Sequence, residues 1–158
     1  MAMPLYIASN ITPFAATAGA KTALNIIAGA NQAVLLKSVT LAMDGVTSSA
    51  VPATVEVCQS TQATAGTSTG SPTITQASGR TLAAQATVGA NFSAEPTALT
   101  PLEKYYVPQF MGLFRYNLPL GDEYETDFSG GTIKALAIRI NVTANVNVLV
   151  SCGIWLVG

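Results

Sequence analysis

Apolar and polar positions alternate along most of this chain with a period of two, the repeat of an extended strand that turns one face to a core. The clearest case lies in the last third. In GTIKALAIRINV, Leu136, Ile138, Ile140 and Val142 alternate with Ala135, Ala137, Arg139 and Asn141. In NVNVLVSCGIWLVG, Val146, Val148, Val150, Cys152, Ile154 and Leu156 fall on one face, and Asn147, Leu149, Ser151, Gly153, Trp155 and Val157 on the other. The intervening Thr143, Ala144 and Asn145 are few enough for a hairpin, and Asn tolerates left-handed turn geometry. The second strand is apolar on both faces near its end. That predicts a central strand, or one lying against another subunit.

A similar pair precedes it. AVLLKSVTLAMDG puts Leu35, Lys37, Val39, Leu41 and Met43 on one side, and Asp44 with Gly45 marks a turn. VPATVEVCQS follows, with Val55 and Val57 facing one way and Thr54, Glu56 and Cys58 the other. Pro52 belongs at the strand start, where no ladder N–H is needed. The uncharged, Ser/Thr-rich run from Ser60 to Thr75 predicts a long, mobile surface loop. Thr81 to Val88 reads as strand and loop, with a short helix as the alternative. Pro108 and Pro119 bracket a strand from Met111 to Leu118. Residues 1–20, rich in Pro, Ala and Thr, read as an N-terminal arm or edge strand, and residues 21–158 as a single β-sandwich domain. Seven to nine strands, punctuated by turns every ten or so residues, predict an all-β, antiparallel sandwich of jelly-roll-like type.

Composition sharpens this picture. Of 158 residues, 49% are hydrophobic and 9% charged, against roughly 25% charged in an ordinary soluble domain. Mean hydropathy is +0.42. Such a surface is hard to keep soluble alone, so burial against other subunits is expected. The net charge of −1 offers no electrostatic footprint for nucleic acid or an anionic membrane. The beginning of the chain lacks the basic and apolar regions of an export signal, and polar residues interrupt its most apolar stretch, so no spanning helix is expected. Cys58 and Cys152, far apart, read as reduced core or strand residues, with a disulfide as the alternative.

The chain has no histidine, which removes the commonest general base and most zinc sites. No phosphate-cradling Gly-rich motif and no C-x-x-C pair occurs. The best remaining candidate for chemistry is PLGDEYETDF, where Asp122, Glu123, Glu125 and Asp127 hold half of the eight acidic residues. Carboxylates are the ligands Ca²⁺ takes, but the D-x-[DN]-x-[DN]-G loop is missing. The segment therefore reads as a solvated loop, with an ion or inter-subunit salt-bridge site as the alternative and catalysis behind both. No cofactor is expected. Most aromatic residues lie in one stretch, so Tyr105, Tyr106, Phe110, Phe114 and Tyr116, together with Trp155, are candidate interface residues. A sugar-binding platform is the other reading of the same rings.

Several stretches carry a resemblance: LLKSVTLAMDGVTSSAVPATVEVCQSTQATAGTST, QASGRTLAAQATVGANFSAEP, and FRYNLPLGDEYE with the closing strands. Over residues 30 to 157 the chain resembles small virion proteins of tailed bacteriophages, the capsid decoration (cement) or minor head proteins. The resemblance implies a β-sandwich without catalytic residues that assembles as a homo-oligomer, commonly a trimer, on the major capsid protein and stabilises the head. It implies a place in the virion after synthesis in the host cytoplasm, and no nucleic-acid or membrane partner. It assigns no role to any particular residue. Two other classes stay open on the sequence: a carbohydrate-binding β-sandwich that attaches a particle to a host surface, and a hydrolase built on the carboxylates of residues 122–127.

Overall fold

A strand rich in Val, Ile, Thr and Leu is stable when one face is covered, and here two sheets cover each other. The computed structural model describes residues 3–10, 13–16, 19–46, 51–60, 66–126 and 134–158. Its strands are β1 (Leu5–Ser9), β2 (Phe14–Ala16), β3 (Gly19–Ile27), β4 (Ala33–Met43), β5 (Ala53–Ser60), β6 (Thr67–Gly70), β7 (Thr75–Ser78), β8 (Thr87–Ala94), β9 (Leu99–Val107), β10 (Leu113–Asn117), β11 (Tyr124–Thr126), β12 (Ala135–Val142) and β13 (Val146–Val157). Sheet one runs β10-β4-β13-β1-β7, with β11 also on β4 and β2 also on β13; sheet two runs β6-β8-β3-β12-β5-β9. All strand pairs are antiparallel.

Within this lies an eight-stranded jelly roll. Sheet one supplies β1-β13-β4-β10 and sheet two β3-β12-β5-β9, and the chain passes repeatedly from one sheet to the other. Strands β6, β7 and β8 are inserted between β5 and β9, and they extend the β3 edge of one sheet and the β1 edge of the other. The core between the sheets is aliphatic: Leu24, Ile26, Leu36, Leu41, Leu136, Ile138, Ile140, Ile154 and Leu156 are fully buried.

The alternation read in residues 135–157 is confirmed, but the hairpin is not. β12 and β13 lie in opposite sheets, and so do β4 and β5. A period of two fixes which face is buried, but not whether the chain returns beside itself or crosses to the facing sheet. Each of β12 and β13 sits between two neighbours, where both of its edges are hydrogen-bonded. The phase read in β4 is also corrected. β13 pairs Gly153 with Ser38 and Ile154 with Leu36, so Lys37 is a bulge. Val34 and Leu36 therefore face the core with Val39, Leu41 and Met43, while Leu35 and Lys37 are only half-buried. The segment expected as an arm or edge strand is built into the sandwich. β1 is the edge of the eight-strand frame, but β7 covers that edge, and Tyr6 and Ala8 are buried in the core. The expected loop at 60–75 contributes the end of β5, β6 and the start of β7; residues 61–65 lie outside the described residues.

Candidate interaction surface

Where charges are scarce, the place of each one is informative. On the outer face of sheet two, Lys104, Glu56 and Arg139 stand opposite one another on β9, β5 and β12. Glu56 Oε2 accepts from Arg139 Nε at 2.6 Å, and its Oε1 lies 3.0 Å from Lys104 Nζ. Burial pushes the Glu56 carboxyl up, but the hydrogen bonds and charges of Lys104 and Arg139 outweigh it and hold the group below the usual range. Beside this ladder, a bulge on β3 skips Ala23. There Glu95 Oε2 accepts from the Thr22 backbone N–H at 2.9 Å and from its hydroxyl at 2.6 Å. Ser60 Oγ donates to Thr97 O at 3.2 Å. The link between β8 and β9 is thus tied to β3 on one side of β12 and to β5 on the other.

The lateral opening between the sheets, at the β9 and β10 edges, is closed by aromatic rings. Tyr105 of β9 packs against Phe114 and Tyr116 of β10, with ring centroids 5.1 and 5.3 Å away. Glu103 gathers their hydroxyls: Tyr105 Oη donates to Oε2, Tyr116 Oη donates to Oε1 at 3.2 Å, and Tyr124 donates as well. Burial raises the Glu103 carboxyl, and the phenol donors more than offset it, so it stays below the usual range. Burial, then the carboxylate, pushes Tyr105 and Tyr124 well above the usual phenol range.

The acidic segment does not converge on one point. Glu123 pairs with Lys37 at 3.3 Å and accepts from the Gly121 N–H at 2.7 Å, in a turn where Asp122 N–H donates to Pro119 O. Its own backbone N–H, that of Gly121 and Lys37 keep its carboxyl low against desolvation. Asp122 and Glu125 are exposed, with Glu125 beside Gln59, Thr126 and Lys134. Asp127 lies outside the described residues. Among the described residues no three acids or cysteines gather as metal ligands. Cys58 and Cys152 are buried and free, and burial raises their thiols to about 11 and about 12.

Sheet one presents a different surface. Three rows cross β1, β13 and β4 on its outer face: Leu5–Trp155–Leu35, Ile7–Gly153–Ser38 and Ser9–Ser151–Thr40. None of these nine residues is charged. A side chain at Gly153 would come 2.5 Å from Ser38 Oγ, so the middle row stays flat. Lys37, bulged out beside them, holds its ammonium 5.0 Å from the Trp155 ring centroid and is also bound to Glu123 and Leu118 O.

The six expected interface aromatics are therefore divided. Tyr105, Phe114 and Tyr116 are half-buried and spent on the seam, and Trp155 is half-buried on the flat face. Tyr106 and Phe110 are exposed. Sequence reading missed Glu103, because a lone acid two residues from a tyrosine carries no signal until the topology brings β10 and β11 beside β9. It also missed the exposed apolar residues Val46, Met111 and Leu113. Comparison of the chain with protein-family models, characterised proteins and solved structures returned no match.

Proposed function

We propose that this protein is a non-enzymatic structural component of a virion, a decoration protein that binds an assembled phage head as a homo-oligomer and stabilises it. The observation that carries this reading is the uncharged centre of the outer face of sheet one, where the three rows on β1, β13 and β4 meet charge only at their flank, at Arg115 opposite Thr40, Glu125 opposite Leu35 and Lys37 beside Trp155. Flat rows of Leu, Ile, Trp, Ser, Thr and Gly on a rigid sheet suit docking onto another protein surface. There, apolar burial contributes roughly 25 cal/mol per Å² before association costs are subtracted. Many symmetric copies then add through avidity. Four of the described carboxylates support the same reading, since Glu56, Glu95, Glu103 and Glu123 serve internal contacts rather than a shared site. A sugar platform is less well supported, because Tyr105, Phe114 and Tyr116 are turned onto one another.

The test is co-sedimentation with DNA-filled or empty phage heads stripped of accessory proteins. Saturable binding that changes little between about 0.1 and 0.5 M salt is expected, since the contact is not ionic. Ser151→Lys, on the central strand of the face, should reduce it strongly. No binding to heads, or binding that collapses in high salt, would overturn the reading.

A further inference from the structure

Three connections meet at one end of the sandwich: those after β4, after β9 and after β12. Buried Gln109 ties them together, its Nε2 donating to Val51 O at 3.1 Å and to Thr143 Oγ1 at 2.7 Å. Gly45 bridges to Phe110, Met111 N–H donates to Gly45 O at 3.1 Å, and Met43 N–H donates to Gly112 O at 2.8 Å. Position 112 must be glycine, because a Cβ there would stand 1.8 Å from Pro108 O. The tight turn leaves Met111 at φ 43°, a region that a side-chain-bearing residue occupies when its surroundings enforce it.

This scaffold pushes apolar side chains into water. Val46 is 88% exposed, Met111 75%, Leu113 72% and Phe110 44%. Leu149 joins them through the row Leu113–Ala42–Leu149, and Val51 lies beside Gln109. As whole residues their exposed surface is on the order of 700 Å², close to the ~800 Å² that each partner buries in a standard interface. The neighbouring acid is already occupied: Asp44 accepts from the Asn147 N–H and from its side-chain amide, both at 2.7 Å.

We propose that this loop end is the self-association surface, and that its occupant is the same loop end of a second copy of the chain. Among the described residues the middle of the patch carries no charge, and the exposed Asp44 and Arg115 stand at its rim, so a second copy can meet it with little charge to desolvate. Gln109 fixes the turn before contact, so little ordering is required on association. The inference deepens the proposed function and rests on its claim that copies associate. The experiment is run without phage heads, so failed head binding leaves it standing, and failed self-association leaves the flat face standing.

The experiment is sedimentation velocity on the full chain from about 1 to 100 µM. The expected result is an oligomer with micromolar or tighter affinity. The double variant Met111→Glu, Leu113→Glu should weaken it at least about 100-fold with an unchanged circular dichroism spectrum, and Leu5→Lys, at the far end of the flat face, should leave it intact. If the double variant does not fold, Val46→Glu at the most exposed position takes its place. A wild-type chain that stays monomeric at about 100 µM overturns the proposal. So does an oligomer that survives the folded tip variant, or one that Leu5→Lys dissociates while the tip variant does not.

Discussion

The outer faces of the two sheets belong to one sandwich and are built in opposite ways. Sheet two carries the Lys104–Glu56–Arg139 ladder and is strapped by the β8–β9 link through Glu95 and Thr97. Sheet one keeps three uncharged rows across β1, β13 and β4, and its charges and its tie to the β10–β11 link stand at the flank, at Lys37, Glu123, Arg115 and Glu125. Several of the few ionisable groups stand where the fold needs a fixed geometry. The lesson is that low charge here is uneven: one face carries a central ion-pair ladder, and the other keeps its charges at the flank.

The largest expected effect falls on the face with the ladder. Glu56→Ala removes the centre of the ladder and leaves half-buried Arg139 without its partner. It should cost about 2–3 kcal/mol in urea unfolding, less than a fully buried pair because Lys104 is exposed. A loss below about 0.5 kcal/mol would show that the ladder is ornamental and the contrast between faces illusory.

Acid titration sharpens the same point. Glu56 and Glu103 have carboxyls lowered from 4.5 in the folded state. The unfolded chain therefore binds protons first, and the stability these groups contribute is present above about pH 4.5 and lost as pH falls through their lower folded values. Glu56→Gln should flatten this acid limb. An acid limb identical in wild type and variant would remove Glu56 from the explanation.

The seam gives the next effect. Glu103→Gln should cost about 1–2 kcal/mol, because three phenols lose a charged acceptor. Tyr105 and Tyr124 are raised, so their contribution holds below about pH 10 and falls as pH rises above it, where the unfolded chain ionises first. Alkaline melts followed by near-ultraviolet circular dichroism measure both. A wild-type melting temperature that is flat from pH 9 to about 11 would count against the seam.

The smallest stability effect is expected on the flat face. Ser151→Lys should change unfolding free energy by no more than about 0.5 kcal/mol while abolishing head binding. If it unfolds the protein instead, the flat face is part of the fold's own support.

Much of this architecture was legible in the sequence. The faces of β12 and β13 followed from period-two alternation, and the strand around Phe114 and Tyr116 from its flanking prolines. What the pattern could not carry was partner choice. Thr143 to Asn145 bridge two sheets as readily as they close a hairpin, and the Lys37 bulge reverses a face through one unpaired residue whose neighbours give no local sign. The surface was less legible still. PLGDEYETDF drew the eye because its charges are adjacent in sequence, yet Glu123 turns to Lys37 and Tyr124 to Glu103, both far away along the chain. Met111 looked like a strand residue but lies in the turn held by Gln109, and Leu113 opens β10 on its outward face.

The placement of β12 and β13 reaches beyond the native state. Each is the strand on which its sheet is centred, and both come late in the chain. Until residues 135–157 have left the ribosome, β3 has no β5 to lean toward and β4 has no β1, so neither sheet can close. The sandwich is then a slow, late-nucleating folder whose earlier strands wait with open edges. The cell meets the protein first as a set of unpaired strands at risk of joining the wrong chain.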